Sequence, residues 1–211
     1  MNYTTEQEAF WAGEFGDEYI GRNISDNILA YNLHFFARSL RHANGIGSVI
    51  EFGANVGMNL KAMKLLAPNQ EQFGIEINCR AAQKLELSLP KENIFRQSIL
   101  DFSPERTWDL ALVKTVLIHI NPIQLPKVYR ALHRSARRYI LVAEYYSPMP
   151  VDVTYRGHEQ RLFKRDFAGE LLDMFSDLRL ADYGFVYRND TTAPQDDITW
   201  FLLEKQQNFQ R

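Results

Sequence analysis

Short apolar runs and amphipathic stretches alternate along most of the chain. The apolar runs have the length of buried strands, and in the stretches that follow them apolar residues recur every three or four positions, as on one face of a helix. This order repeats between residues 48 and 143 and predicts successive strand–helix units. Because strands joined through helices pair in parallel with right-handed crossovers, we expect a parallel sheet with helices packed on it.

The same pattern gives bounds for the individual elements. Ser25 is a predicted helix N-cap, and the last two strands, separated by a short polar turn, predict an antiparallel hairpin. The predicted fold is α/β, a Rossmann-like, doubly wound, mostly parallel seven-stranded sheet with a final antiparallel strand and an N-terminal helical lid. Strands are predicted at Ser48–Phe52, Gln72–Ile77, Ile94–Ile99, Trp108–Val113, Tyr139–Ala143, Leu180–Tyr187 and Ile198–Glu204, and helices at Ser25–His42, Met58–Ala67, Ala81–Leu89, Ile123–Ala136 and Arg165–Phe175.

Composition and charge exclude several classes of protein. The 211 residues are 45% apolar and 24% charged, which is ordinary for a soluble globular domain. A net charge of −2 lacks the basic excess of a nucleic-acid-binding protein. No run approaches the roughly 18 apolar residues of a membrane-spanning helix. Cys79 is the single cysteine, and Met1–Phe10 lacks the apolar core of a signal peptide. We therefore expect a cytoplasmic protein with neither nucleic-acid nor membrane partners, and we leave its oligomeric state open.

A glycine-containing segment follows the first predicted strand. Gly53 and Gly57 permit a tight turn and a close approach of the backbone to a ligand. Free N–H groups at the start of the next helix can bind an anion such as a carboxylate. Asn55 stands where such loops often have a glycine, and asparagine tolerates the left-handed conformation. Met58 occupies the place of the last glycine in G-x-G-x-x-G, so the segment argues against NAD.

Glu76 ends the second predicted strand and follows the glycine-containing segment at the distance, about 20 residues, that dinucleotide-binding folds use for an acid. A carboxylate there can accept hydrogen bonds from both hydroxyls of a ribose, although a surface glutamate after a strand is the alternative. A parallel sheet ending in one antiparallel strand is, by analogy, the outline of methyltransferases that use S-adenosylmethionine (SAM), so we predict SAM as the cofactor. Methyltransferases of this fold often place an acid where Ser98 stands, and Ser98 and the Ile99 N–H are expected to contact adenine. The predicted cofactor-binding residues are Trp11, Phe15, Tyr19, Glu51, Gly53, Asn55, Gly57, Asn59, Glu76, Ile77, Ser98, Ile99, Lys114 and Thr115.

Several segments together resemble the pseudaminic acid biosynthesis-associated methylases. The similarity lies in Phe10–Tyr19 with Arg22-Asn23, Glu51–Leu60, Val116–Pro122, Tyr155–His158 and Asp196–Leu202, and it extends over nearly the whole chain. The resemblance implies a SAM-dependent methyltransferase of nonulosonic-acid or surface-glycan pathways, acting on an amino or hydroxyl group of a nucleotide-activated sugar. Thr115 departs from the family, because a glycine is expected at that position, and its side chain leaves the shape of the pocket there open.

Candidate catalytic and acceptor-binding residues follow the fourth and fifth predicted strands. His119 is the candidate general base, since a histidine titrates near neutral pH; a structural histidine is the alternative. Lys114 is expected to bind a carboxylate or phosphate, or else to face solvent. The candidate acceptor-binding residues lie in the loop after the fifth strand; they are Tyr145, Tyr146, Tyr155, Arg156 and His158. The alternative is that this stretch is a packed, proline-containing loop with no binding role. Asp196-Asp197 would hold a cationic amine or cap the hairpin, and no metal site is predicted.

Three aromatic residues precede the first strand. We expect Trp11, Phe15 and Tyr19 to cover the cofactor and exclude water, with ordinary packing of an N-terminal helix as the alternative. Residues 1–44 are accordingly assigned to a helical lid segment and residues 45–211 to the methyltransferase domain. Two other functions remain open: methylation of another small metabolite, and a non-catalytic, SAM-binding regulatory protein. Methylation of protein or RNA ranks third.

Overall fold

A computed structural model describes residues 3–206, and of Asn23 only the backbone. The ends of the two assigned segments, residues 1–2 and 207–211, lie outside the described residues. The strands are β1 (Ser48–Phe52), β2 (Glu71–Ile75), β3 (Ile94–Phe95), β4 (Trp108–Lys114), β5 (Ala136–Glu144), β6 (Val151–Tyr155), β7 (His158–Lys164), β8 (Leu178–Val186) and β9 (Ile198–Lys205). The α-helices are α1 (Glu6–Ala12), α2 (Glu14–Tyr19), α3 (Asp26–Ser39), α4 (Met58–Leu66), α5 (Cys79–Leu85), α6 (Leu125–Ser135) and α7 (Phe167–Met174).

Seven strands form one sheet in the order β3-β2-β1-β4-β5-β9-β8. The pairs from β3 to β5 are parallel, and β9 is antiparallel to both of its neighbours, β5 and β8. This topology confirms the predicted Rossmann-like fold and the predicted hairpin between the last two strands. Among residues 3–206, no helix is both long and apolar enough to cross a membrane.

Helices cover both faces of the sheet. On one face, Phe36 of α3 and Leu60 of α4 are buried in an apolar cluster with the side chains of β1 and β4. On the other, Leu132 of α6 and Leu171 of α7 share a second cluster with Trp108. Ser25 caps α3 as expected, since its Oγ accepts the N–H of Ile28 at 3.2 Å. Helix α3, assigned from sequence to the lid segment, thus contributes side chains to the core.

Besides shifts at the ends of several elements, two features differ from the predicted elements, each for a local reason. Strand β3 stops at Phe95 instead of Ile99, because the Gln97 N–H turns back to the Phe95 carbonyl and ends the pairing with β2. A two-stranded hairpin, β6–β7, occupies residues predicted as loop. Its turn residues Arg156 and Gly157 have φ of 50° and 83°. Two successive residues with positive φ are the left-handed pair of a tight hairpin turn.

Candidate active site

A cavity lies where the carboxyl ends of β1, β2 and β4 meet, the usual ligand edge of an open α/β sheet. The loops after β1, β2, β3 and β4 form its floor, helix α3 forms part of one side, and the N-terminal helices α1 and α2 cover it. Its walls are Gln7, Glu8, Trp11, Gly16, Tyr19, Ile28, Asn32, Gly53, Ala54, Asn55, Val56, Met58, Asn59, Ile75, Glu76, Ile77, Asn78, Ala81, Ser98, Ile99, Lys114, Thr115, Val116, His119 and Ile120.

The loop after β1 turns through three residues of left-handed backbone. Gly53, Asn55 and Gly57 have φ of 76°, 48° and 82°. A Cβ at Gly53 would lie 2.6 Å from a methyl carbon of Val116, so a glycine is needed there for space as well as conformation. Asn55 adopts the conformation that asparagine tolerates. The loop therefore brings its backbone against the cavity, and Gly57 becomes the N-cap of α4.

Glu76 directly follows β2 and its carboxylate faces this loop. Oε2 accepts the Asn55 N–H at 2.7 Å and Oε1 accepts the Asn78 N–H at 2.7 Å. Burial raises the pKa of Glu76 above its ordinary value, while these N–H groups oppose that effect. The Ile77 N–H also binds this carboxylate, and the lone-pair capacity that remains can accept a hydroxyl donor from a ligand in the cavity.

Near the β1 loop, two buried amide oxygens and one carboxyl oxygen lack a hydrogen-bond partner within the described chain. Glu51 is buried and does not line the cavity itself, but its Oε1 accepts Nδ2 of Asn59, which does, at 2.6 Å. Glu51 Oε2, Asn55 Oδ1 and Asn59 Oδ1 have no hydrogen-bond partner among residues 3–206. Burial raises the pKa of Glu51 to about 8. Since buried unpaired acceptors are costly, this end of the cavity favours a ligand that carries N–H donors.

His119 is buried at the end of a 3₁₀ turn, Leu117–His119, and lines the cavity. Its Nδ1 lies 2.6 Å from the carbonyl of Arg161. Because a carbonyl only accepts, Nδ1 must carry the proton, and Nε2 is left with a lone pair. Burial lowers the pKa of His119 to about 4. The ring lies 4.5 Å from that of Trp11 and 5.1 Å from that of Tyr155, centroid to centroid.

Lys114 and Thr115 lie at the end of β4 and line the same cavity. The ammonium of Lys114 is 3.4 Å from Asn32 Oδ1 and 5.4 Å from the ring centre of Phe35, and burial lowers its pKa. Thr115 has φ of 55° and donates its hydroxyl to the Lys114 carbonyl at 2.8 Å. A glycine would adopt this backbone without strain, which is consistent with the glycine expected there from the family resemblance.

The N-terminal segment is fixed over the cavity at two places. On one side, Asn78 donates to the carbonyl of Trp11 at 3.2 Å and to Asp17 at 2.9 Å, and Arg80 pairs with Asp17 at 3.2 Å. On the other side, Gln7 donates to the backbone of β7 and Glu6 pairs with Arg161. Trp11 and Tyr19 line the cavity, whereas Phe15 lies behind them and stacks on Phe10 at 4.1 Å.

None of the five candidate acceptor-binding residues lines the cavity. Tyr155 packs against His119, and His158 lies 5.0 Å from Phe10. Tyr145 donates its hydroxyl to Asp196 at 3.1 Å, and Arg156 extends over the ring of Tyr155 at 5.6 Å. Tyr146 lines a separate, smaller cleft with Phe167 and Phe201. Asp197, the other half of the acidic pair, binds Arg188 at 3.2 Å.

Sequence reasoning missed several residues of the cavity wall. Asn32 projects from the middle of α3, and Asn78 follows β2 by three residues; neither belongs to a motif. Gly16 has no space for a Cβ, which would lie 1.8 Å from the Trp11 carbonyl and 2.9 Å from Asn78. Asn78 could have been predicted, because it is a polar residue two positions after Glu76. The contacts between segments that are distant in the sequence could not, because they leave no local pattern.

No protein-family profile matches the chain, and no curated protein matches it in sequence. The solved structures that resemble it include methyltransferases that are SAM-dependent or have S-adenosylhomocysteine bound. One, from Leishmania major, has a TM-score of 0.65 and 16% identity over 95% of this chain and 82% of the other. Another is the 1,6-didemethyltoxoflavin-N1-methyltransferase of Burkholderia thailandensis with 1,6-didemethyltoxoflavin and S-adenosylhomocysteine bound; its TM-score is 0.73, with 15% identity over 98% and 92% of the chains. A third, from Clostridium acetobutylicum, has a TM-score of 0.63 and 12% identity over 92% and 98%. The chain therefore has the fold of these methyltransferases.

Proposed function

We propose that this protein is a SAM-dependent methyltransferase that acts on a small molecule. The observation that carries the proposal is the cavity at the carboxyl edge of the sheet. There a glycine-containing loop, the carboxylate of Glu76 and unpaired acceptors near Glu51 face one space. Structural neighbours of the same fold contain S-adenosylhomocysteine, the demethylated form of the cofactor.

The residues of the cavity suit the different parts of SAM. Glu76 has lone pairs for the ribose hydroxyls. The unpaired oxygens of Asn55 and Asn59, with Glu51 below them, suit the ammonium of the methionyl part. Ile77 and Ile99 offer apolar surface for adenine, and Ser98 adds a hydroxyl beside them. The fit rests on the unpaired amide oxygens of Asn55 and Asn59 and on the remaining hydrogen-bonding capacity of Glu76.

In the proposed reaction the protein mainly orients two reactants. Bound SAM supplies an electrophilic methyl group on a sulfonium with a good leaving group. Trp11 and Tyr19 cover the cavity and exclude water. His119 Nε2 accepts the proton that an acceptor hydroxyl or amine releases as it is methylated. Alignment of donor and acceptor supplies roughly 7–11 kcal/mol in well-oriented systems, and a general base about 10²- to 10⁴-fold.

For the acceptor we propose an amino or hydroxyl group of a nucleotide-activated sugar, as in nonulosonic-acid or surface-glycan biosynthesis. Arg156 and Lys164 lie at the hairpin beside the cavity, with their cations over the rings of Tyr155 and Tyr145. Cations beside tyrosine rings suit the phosphates and ring of a sugar nucleotide. The resemblance in Tyr155–His158 and Asp196–Leu202 supports the same class. We also propose a cytoplasmic location.

A second acceptor class is a flat heteroaromatic metabolite. Trp11, Tyr19 and the neutral ring of His119 line the cavity together, and such surfaces bind planar rings. The neighbour from Burkholderia thailandensis holds 1,6-didemethyltoxoflavin beside S-adenosylhomocysteine. A methyl-transfer assay with both classes of compound distinguishes sugar acceptors from heteroaromatic ones.

The test combines cofactor binding with methyl transfer. Calorimetry with S-adenosylhomocysteine is expected to show binding that Glu76→Ala weakens by ~10- to 100-fold, the loss of hydrogen bonds to a charged group. Glu71→Ala is the matched control, because Glu71 begins the same strand at the opposite edge and faces solvent. Mass spectrometry with methyl-deuterated SAM then screens nucleotide-activated amino sugars, nonulosonic acids and heteroaromatic compounds. Absence of binding overturns the proposal, and binding without transfer to any compound favours a SAM-binding regulatory protein.

A further inference from the structure

Glu144 is a buried carboxylate that the reaction proposed above does not use. It ends β5 and is 2% exposed. Its Oε1 accepts the backbone N–H groups of Val116 and Leu117, both at 2.9 Å, and the Ile118 N–H also binds this carboxylate. These N–H groups belong to the first part of the 3₁₀ turn Leu117–His119, where a helical turn has no internal partners for them.

The turn that Glu144 holds ends in the candidate base. His119 takes its ring orientation from the Arg161 carbonyl and its backbone position from the turn. The turn itself has few backbone hydrogen bonds: the His119 N–H donates to the Val116 carbonyl, and the Ile120 N–H donates to the Leu117 carbonyl. The position of the His119 ring in the cavity wall therefore depends on the carboxylate of Glu144 at one end of the turn and on β7 at the other.

A carboxylate at this position is costly. Burial raises the pKa of Glu144 to about 7, and Oε2 has no hydrogen-bond partner within the described part of the chain. An apolar side chain of similar size would pack at the end of β5 without this cost. It would also leave two or three buried N–H groups unpaired, each at a cost of about 1–3 kcal/mol. The need to bind these N–H groups thus explains why a carboxylate occupies this buried position.

We propose that Glu144 is a positioning residue: its carboxylate fixes the turn that sets His119 Nε2 toward the acceptor. Glu144 lines a separate, smaller cleft and not the cavity, so it would act on the reaction through the turn and His119. The inference rests on the proposed function, because the position of Nε2 matters for rate only if His119 takes a proton. The cap itself is testable without any turnover.

The experiment compares Glu144→Ala, Glu144→Asp and Glu144→Gln. Glutamine keeps an acceptor oxygen at the same reach, aspartate withdraws it by one methylene, and alanine removes it. Asp109→Ala is the matched control, because Asp109 also accepts two backbone N–H groups, of Gly47 and Ser48, but at the opposite edge of the sheet. Ring resonances of His119 in NMR spectra, assigned with His119→Gln, report its position, and calorimetry with S-adenosylhomocysteine reports the cofactor site.

In folded Glu144→Ala and Glu144→Asp we expect shifted His119 resonances, unchanged S-adenosylhomocysteine affinity and a kcat lowered by up to ~10²-fold, the loss that follows a misplacement of about 1 Å. In Glu144→Gln, the His119 resonances, the S-adenosylhomocysteine affinity and kcat are expected to stay close to their wild-type values. Asp109→Ala is expected to lower thermal stability and to leave these three readouts unchanged. If Glu144→Ala does not fold, the measurements on Glu144→Asp test the inference. Unshifted His119 resonances in a folded variant overturn the inference. Shifted His119 resonances in the variants, together with a wild-type protein that binds S-adenosylhomocysteine but transfers no methyl group, leave the positioning intact and overturn the proposed function instead.

Discussion

At the scale of single residues, the neighbours of His119 determine which nitrogen of its ring carries the proton. The Arg161 carbonyl requires the proton on Nδ1, and burial keeps the ring neutral at physiological pH. A neutral histidine in the cavity wall, with a lone pair on Nε2, can accept a proton, but with a pKa of about 4 it is a weak base. It suits an acceptor whose proton becomes acidic only as the methyl group is transferred.

Replacement of His119 therefore separates chemistry from binding. In His119→Gln we expect kcat to fall by ~10²- to 10⁴-fold, the usual share of a general base. S-adenosylhomocysteine affinity should stay within about twofold, because no predicted cofactor contact is lost. Steady-state kinetics and calorimetry measure the two effects.

The control is His133→Gln, since His133 pairs with Asp177 at 2.9 Å on α6, outside the cavity wall. An unchanged kcat in folded His119→Gln would return His119 to a structural role.

At the scale of elements, the core strands of the sheet were predictable from the sequence, whereas the hairpin β6–β7 and the contacts of the N-terminal helices were not. Strand β1 was predicted residue for residue, because every side chain in it is buried and apolar residues dominate the run. The hairpin β6–β7 was missed because it has hardly any core: β7 shows no apolar alternation, and Leu162 is the one buried side chain of the two strands. The glycine loop and Glu76 could be read from local spacing. The contact of Asn78 with Asp17 joins residues 61 positions apart and left no local signal.

The lid contacts predict a selective effect on cofactor release. Asp17→Ala removes the ion pair with Arg80 and one bond from Asn78 while leaving the cap of α5 intact. We expect S-adenosylhomocysteine to dissociate faster, with an affinity loss of about fivefold, since a partly exposed ion pair contributes up to about 1 kcal/mol. Trp11→Ala is expected to weaken binding as well. Stopped-flow displacement measures the dissociation rate.

Arg41→Ala is the control for the lid, because it breaks a surface pair with Asp182 at 3.0 Å, far from α1 and α2. Equal dissociation rates in wild type, folded Asp17→Ala and folded Trp11→Ala would contradict a covering role and favour ordinary packing of the N-terminal helices.

At the scale of the whole molecule, buried acids concentrate at the cavity edge of the sheet. Glu51, Glu76 and Glu144 lie in or directly after three of its strands, and burial raises the pKa of each. The ion-paired acids Asp109, Asp182 and Glu204 have lowered pKa values. The edge that would bind a ligand is thus the one where folding itself is electrostatically unfavourable, a common arrangement at functional sites.

This distribution predicts how the stability of the ligand-free protein depends on pH. Glu51 and Glu144 have folded pKa values of about 8 and 7, above the unfolded value of 4.5, so the folded state holds more protons between the unfolded and folded values. Stability is therefore lost as the pH rises through the folded pKa values. His119 opposes this only below its unfolded pKa of 6.5. Thermal unfolding is expected to show a Tm that falls as the pH is raised from slightly acidic to slightly alkaline.

Glu51→Gln should flatten that decline, because glutamine does not titrate, and Glu71→Gln, on the exposed start of β2, should not. Parallel pH profiles for wild type and Glu51→Gln would show that Glu51 does not carry a raised pKa in the folded protein.

The direction of β9 has a practical consequence for handling the protein. Because β9 runs antiparallel to β5, Thr199 lies beside Glu144 at the cavity edge, and Glu204 lies beside Tyr139 toward the other end of the sheet. A purification tag or reporter fused after β9 would start away from the cavity, whereas one fused ahead of α1 would start beside Gln7 and Glu8 in its wall. Fusions at the C-terminal side are therefore the ones expected to preserve ligand binding.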